Sequence, residues 1–118
     1  MPSSRHASAF RVKEITPTQL AAWLADASRE KPVLLDVREP WEHEKARIEG
    51  SQLVPMGQIA ARVAELDPAR EIVAICHHGG RSMQVALFLE RNGFANVHNL
   101  SGGMDAWSTT VDPSVPRY

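Results

Sequence analysis

Short apolar runs alternate along this chain with stretches whose apolar positions recur at helical spacing. Phe10-Arg11-Val12-Lys13-Glu14-Ile15 alternates apolar and polar positions as an edge strand does. A helix is predicted directly after it. Thr16 is the N-cap, Pro17 occupies the first helical position, Gln19 completes a capping box, and Leu20, Ala21, Trp23 and Leu24 form the apolar face. Val33-Leu34-Leu35 is a continuous apolar run of the kind that forms a strand buried on both faces, and polarity returns at Asp36-Val37-Arg38-Glu39. Residues 40–46 read as a short helix and 52–54 as a brief strand, while Ile59, Ala60, Val63 and Leu66 form the stripe of another helix closed by Asp67-Pro68. Ile72-Val73-Ala74-Ile75 is the clearest strand. Cys76 follows it, and Gly79-Gly80 leads into a helical pattern carrying Met83, Val85, Ala86, Leu87 and Leu89. Gly93 in the left-handed region with Phe94 packed back on Leu89 would stop that helix, and Val97 and Leu100 suggest a last strand.

Alternating strands and helices of this length imply right-handed crossovers and a mostly parallel sheet, so the predicted fold is a three-layer α/β domain with helices on both faces. At 118 residues and 43% hydrophobic content the chain can bury one core. The expected organisation is a flexible tip over 1–9, the domain over 10–108 and a tail over 109–118. Thirteen basic and 14 acidic residues are interspersed, giving a net charge of -1. That balance offers no footprint for nucleic acid or for a membrane surface. No secretory hydrophobic stretch stands at the start, and the single cysteine precludes an internal disulfide. The expected compartment is the cytoplasm.

In open parallel sheets, ligand sites gather beyond the carboxyl ends of strands, where both Asp36 and Cys76 fall. A loop turning from strand to helix within a few residues points backbone N–H groups inward, and the helix start adds positive partial charge. A thiol at the first position of such a loop is expected to be nucleophilic, reinforced by the Arg81 guanidinium. Curling the loop calls for positive φ at Gly79, Gly80 or both.

The loop Cys76-His77-His78-Gly79-Gly80-Arg81-Ser82 resembles the active-site loop of the rhodanese family, with Cys76 at the position of its catalytic cysteine. Asp36-Val37-Arg38-Glu39 is similar to the family's Asp-x-Arg segment. Residues 46–51 resemble its Gly-His-Ile-x-Gly-Ala segment, departing at Ala46, Arg47 and Ser51, and Gly102-Gly103-Met104-Asp105-Ala106-Trp107 resembles its Gly-Gly-x-x-x-Trp signature. The resemblance spans roughly residues 10 to 108. It implies a sulfurtransferase: Cys76 takes a sulfane sulfur from a small anionic donor such as thiosulfate, holds it as a persulfide, and passes it to a thiol or cyanide. It further implies that the N–H groups of residues 77 to 81 hold the persulfide, that Arg81 orients the donor, that no metal or organic cofactor is needed, and that a thioredoxin-like or other sulfur-relay protein can be the partner.

The same residues admit rival readings. Phosphatases and arsenate reductases of related fold carry a loop one residue longer, whereas here four residues separate Cys76 from Arg81. A phosphoryl group with three equatorial oxygens needs the wider loop. A non-catalytic binding module would be expected to lack Cys76 or Arg81. A relay fed with persulfide by a partner shares every feature of the free enzyme. Adjacent side chains on a curled loop are expected to diverge, which argues against zinc on His77 and His78, and His6, His43 and His98 show no partner pattern. Asp36 and Arg38 are assigned mainly to fixing loops by ion pairing, Ser82 to a hydrogen-bonding role at the helix start, and Trp23, Trp41 and Trp107 to the core.

Overall fold

A computed structural model describes residues 11–118; Phe10 and the tip over 1–9 lie outside them. Five strands, β1 (Lys13–Ile15), β2 (Val33–Asp36), β3 (Gln52–Leu53), β4 (Ile72–Ile75) and β5 (Val97–Leu100), form one sheet in the order β1-β5-β4-β2-β3. Every pairing is parallel. The helices are α1 (Pro17–Ala25), α2 (Pro40–Lys45), α3 (Ile59–Arg62), α4 (Gly80–Arg91) and α5 (Gly103–Thr110).

The apolar runs explain the layering. Successive side chains of a strand point to opposite faces. Ile72, Ala74 and Cys76 therefore join Leu35, Val97, Ile59, Val85, Ala86 and Leu89 in one core, under α3 and α4. Val73 and Ile75 join Ile15, Leu34 and Leu100 in a second core, under Leu20 and Trp23 of α1 and Met104 and Trp107 of α5. All four residues of β4 are buried, as a central strand covered on both sides requires.

Local signals hold where chemistry at the helix ends dictates them. Thr16 Oγ1 accepts from the Gln19 N–H at 3.1 Å while Gln19 returns a bond to the Thr16 N–H at 2.9 Å. At the end of α4, Gly93 takes φ 88°, its N–H donates to Glu90 O, and the Phe94 N–H donates to Leu89 O at 3.1 Å. Both bonds of a Schellman stop are present.

Three expectations need correction. The helix predicted from Ile59 to Leu66 is a single α-turn, α3, flanked by 3₁₀ turns at Met56–Gln58 and Val63–Glu65, although Ile59 and Leu66 are buried as the stripe demands. Pro55 ahead of it and Asp67-Pro68 behind it bound the segment. Trp41 is not core but 61% exposed, because the inward position of the short α2 is taken by Glu42. The chain beyond residue 108 is not a separate tail: α5 runs to Thr110, Ser108 Oγ donates to Val115 O, and the Tyr118 side chain returns to the carboxyl end of the sheet. Among the described residues, no helix is long and apolar enough to cross a membrane.

The pairing of Asp36 with Ile75 brings the ends of β2 and β4 together at the point where the chain reverses its direction of travel across the sheet. That places residues 36–38 beside the loop that begins at Cys76. The packing beneath it should be costly to remove: Leu89→Ala, at a fully buried position of α4, is expected to lower unfolding free energy by about 2–5 kcal/mol. Urea denaturation followed by circular dichroism checks this.

Candidate active site

The site starts from a strand that ends abruptly. Cys76, 1% exposed, follows β4, and Gly79 forms the N-cap of α4 with φ 108°. The Gly79 N–H points back and donates to Cys76 Sγ at 3.0 Å. Of the two glycines it is Gly79 that needs the left-handed region; Gly80 lies inside α4 with open space around its Cα. A second glycine pair completes the loop from outside. The N–H groups of Met104 and Asp105, in the first turn of α5, donate to the carbonyls of Cys76 and His77 at 2.8 and 3.0 Å. A Cβ on Gly103 would stand 2.3 Å from Cys76 O and 2.5 Å from His77 O, so only glycine permits this approach.

Beneath the sulfur lies a buried polar pair. Ser82 Oγ is 3.3 Å from Cys76 Sγ and donates to Asn99 Oδ1 on β5, while Asn99 Nδ2 donates to Gly79 O at 3.2 Å. Ser82 has one hydroxyl proton. When Asn99 takes it, Ser82 Oγ can accept from a Cys76 thiol; rotated, the hydroxyl can donate to an anionic sulfur.

Beside the sulfur, the ion pairs form one connected layer. Arg38, 0% exposed, grips Asp36 with Nε at 2.9 Å and Nη2 at 2.7 Å, and Nη2 also reaches Ala46 O. His43 Nδ1 is 2.8 Å from Asp36 Oδ2. Burial alone would raise the Asp36 carboxyl, but hydrogen bonds from Arg38 and His43 outweigh it and hold the group below its ordinary value. Arg38 Nη1 donates to the Tyr118 hydroxyl at 2.6 Å, which donates in turn to Glu42 Oε2 at 2.9 Å. Glu42 then meets Arg81 in a two-pronged pair of 2.7 and 2.8 Å. That guanidinium, helped by the Glu39 N–H and Tyr118 and opposed by burial, lowers the Glu42 carboxyl to about 2. Burial, with the Glu42 bond adding to it and Arg38 opposing, pushes Tyr118 up to about 12.

Cys76, Gly79 and Ser82 meet at the sulfur, and Asp36 with Arg38 braces the neighbouring loop. Arg81 does not stand free for an anionic donor as the sequence suggests, because both its terminal nitrogens face Glu42. His77 and His78 do not diverge: their ring centroids are 4.0 Å apart, since the tight turn folds one ring edge-on against the other. With Asp105 they bring three ligand-type atoms within 4.8 Å, although Arg117 bonds the Asp105 carboxylate at 3.0 Å and lowers it. His77 is itself lowered by burial and then by His78. His43 and His98 also have partners, Asp36 and Glu71, each at 2.8 Å. Sequence reading missed Glu42, Asn99 and Tyr118. Asn99 carried a signal, a polar side chain between Val97 and Leu100 of a strand.

Comparison with known proteins is consistent with this geometry. The Rhodanese-like domain family model matches residues 16–110. Thiosulfate sulfurtransferase GlpE of Pseudomonas syringae is 36% identical over 99 residues, covering 83% of this chain and 89% of that protein. Rhodanese-like/PpiC domain-containing protein 12 of Arabidopsis thaliana is 38% identical over 112 residues, 91% of this chain, but the chain spans only 38% of that longer protein. The crystal structure of a rhodanese-like domain protein from Staphylococcus aureus superposes with a TM-score of 0.76 at 30% identity, covering 81% of this chain and 91% of that one.

Two outcomes follow from the geometry. Gly103→Ala should destabilise the fold by about 1–3 kcal/mol, because the new methyl collides with backbone rather than with a side chain that can move; thermal unfolding measures it. The Glu42 carboxyl is lower in the folded chain than the ordinary 4.5, so its stabilising effect is complete above about pH 4.5 and disappears as pH falls toward 2, amounting to about 2–3 kcal/mol. Denaturant unfolding from pH 7 down to 2.5 should show this loss, and Glu42→Gln should flatten it.

Proposed function

Since the chain belongs to the Rhodanese-like domain family, we propose that it is a sulfurtransferase that carries sulfane sulfur as a persulfide on Cys76. The observation that carries the reading is the Gly79 N–H directed at Cys76 Sγ at the head of α4, where a backbone donor and a helix start favour negative charge on sulfur. With thiosulfate as donor, the Cys76 thiolate attacks the outer sulfur, the S–S bond of the donor breaks, and sulfite leaves with the bonding pair. The product is Cys76–S–S⁻. Cyanide or a thiolate then attacks the outer sulfur and regenerates the Cys76 thiolate. The Gly79 N–H holds the charge on Cys76, and Ser82 supplies a hydroxyl that can face thiol or thiolate.

A partner-fed relay is the second reading. It is favoured by the aromatic lip of the site: Tyr118 lies edge-on to His77 at 4.1 Å and to the exposed Trp41 at 5.6 Å. Such a surface suits a protein that presents its own persulfide. A phosphatase reading has only the general strand-loop-helix likeness in its favour, and the short loop opposes it.

Incubating the protein with thiosulfate is expected to add one sulfur to its intact mass, removable by cyanide with release of thiocyanate. Cys76→Ser should take no sulfur and lose at least about 10³-fold in kcat/KM while unfolding at an unchanged temperature. Normal turnover by the serine variant would sink the mechanism.

A further inference from the structure

Among the described residues, three guanidinium groups near the Cys76 loop each face a carboxylate. Arg38 is held by Asp36, Arg81 by Glu42, and Arg117 by Asp105. The Arg81 pair is the consequential one, because Arg81 is the cation of the cysteine loop itself. Glu42 is buried, its carboxylate meets Arg81 through two bonds of 2.7 and 2.8 Å, and the Tyr118 hydroxyl donates to Glu42 Oε2 at 2.9 Å. The pair occupies two of the five guanidinium N–H donors and cancels the charge of Arg81, so a dianion that approaches the remaining donors also meets the adjacent Glu42 carboxylate.

We infer that the mouth of the Cys76 site is charge-matched and selects sulfane donors of low net charge, organic persulfides, over the thiosulfate dianion, with Glu42 as the positioning residue that fixes Arg81 and neutralises its charge. This rests on the sulfurtransferase reading above and names its donor class. The step is a transfer without net oxidation: the Cys76 thiolate attacks the outer sulfur of R–S–SH, the donor S–S bond breaks, R–S⁻ leaves, and Cys76–S–SH forms. The carbon side of the donor has a surface to lie on, since Tyr118, His77 and Trp41 form an aromatic edge beside the loop. Thiosulfate has no such apolar part and must share with Glu42 a cation whose charge is already matched.

The test compares three donors with the same reacting sulfur and falling charge: thiosulfate, methanethiosulfonate, and cysteamine hydropersulfide, whose ammonium offsets the persulfide charge. Intrinsic donor reactivity cancels when wild type and Glu42→Gln are compared. The variant should raise kcat/KM for thiosulfate relative to the hydropersulfide by about tenfold, mainly through a lower KM, with methanethiosulfonate between them. An unchanged or reversed ratio overturns the inference. A measurement on wild type alone serves if the variant does not fold. The kcat/KM for thiosulfate should vary less than about twofold between 0.05 and 0.5 M salt, since a charge-matched mouth leaves no attraction to screen; a fall of about fivefold or more refutes the charge-matched mouth. Failure of all three donors to load Cys76 would instead count against the sulfurtransferase reading itself.

Discussion

The contact on which the site depends is the seating of the first turn of α5 against the carbonyls of Cys76 and His77. A backbone that turns from strand to helix must send its N–H and C=O groups to opposite sides, and a buried carbonyl without a donor is expensive. Here the carbonyls find the N–H groups of Met104 and Asp105. With that side satisfied by the protein's own backbone, the opposite side is left to face the sulfur. A helix start can serve a ligand. In this fold one helix start, that of α5, serves the loop, so that the other, that of α4, can serve the cysteine.

This dependence explains three of the four glycines found at two places. Gly79 and Gly102 adopt φ of 108° and 75°, and Gly103, at φ 58°, allows backbone to touch backbone. Gly80 has no comparable demand on it, since a Cβ there would meet nothing. Two neighbouring glycines in the same loop thus have different physical standing, a distinction the sequence does not display.

What the sequence makes legible follows from the range of the interactions. The cap of α1, the Schellman stop after α4 and the double burial of β4 arise from residues a few positions apart, and each is visible as a local pattern. The parallel sheet follows from alternation. By contrast, Glu42 and Arg81 are 39 residues apart and Tyr118 and Glu42 are 76 apart. No spacing rule links them, so the layer of paired charges beside the sulfur is invisible until the sheet brings β2 and β4 together. The same limitation misplaced Trp41. Helical periodicity counts an aromatic residue as core, but α2 is six residues long and its inward position went to a carboxylate.

Buried ion pairs are weak sources of stability, because desolvation offsets most of the attraction. The network from Asp36 through Arg38, Tyr118 and Glu42 to Arg81 is therefore better understood as geometry than as glue. Arg38 is fully buried and bonds a carboxylate, a carbonyl and a phenol, which together fix three segments: the end of β2, the chain after α2, and Tyr118. Tyr118 in turn links the two guanidinium pairs through one hydroxyl. An apolar replacement could fill the same volume, yet it would leave the wall beside Cys76 without defined charge. The arrangement leaves a sulfur that faces the Gly79 N–H and a wall whose Arg38 and Arg81 are already matched. Transfer of a sulfur atom asks for little more, since the charge in motion resides on sulfur and the loop already faces it.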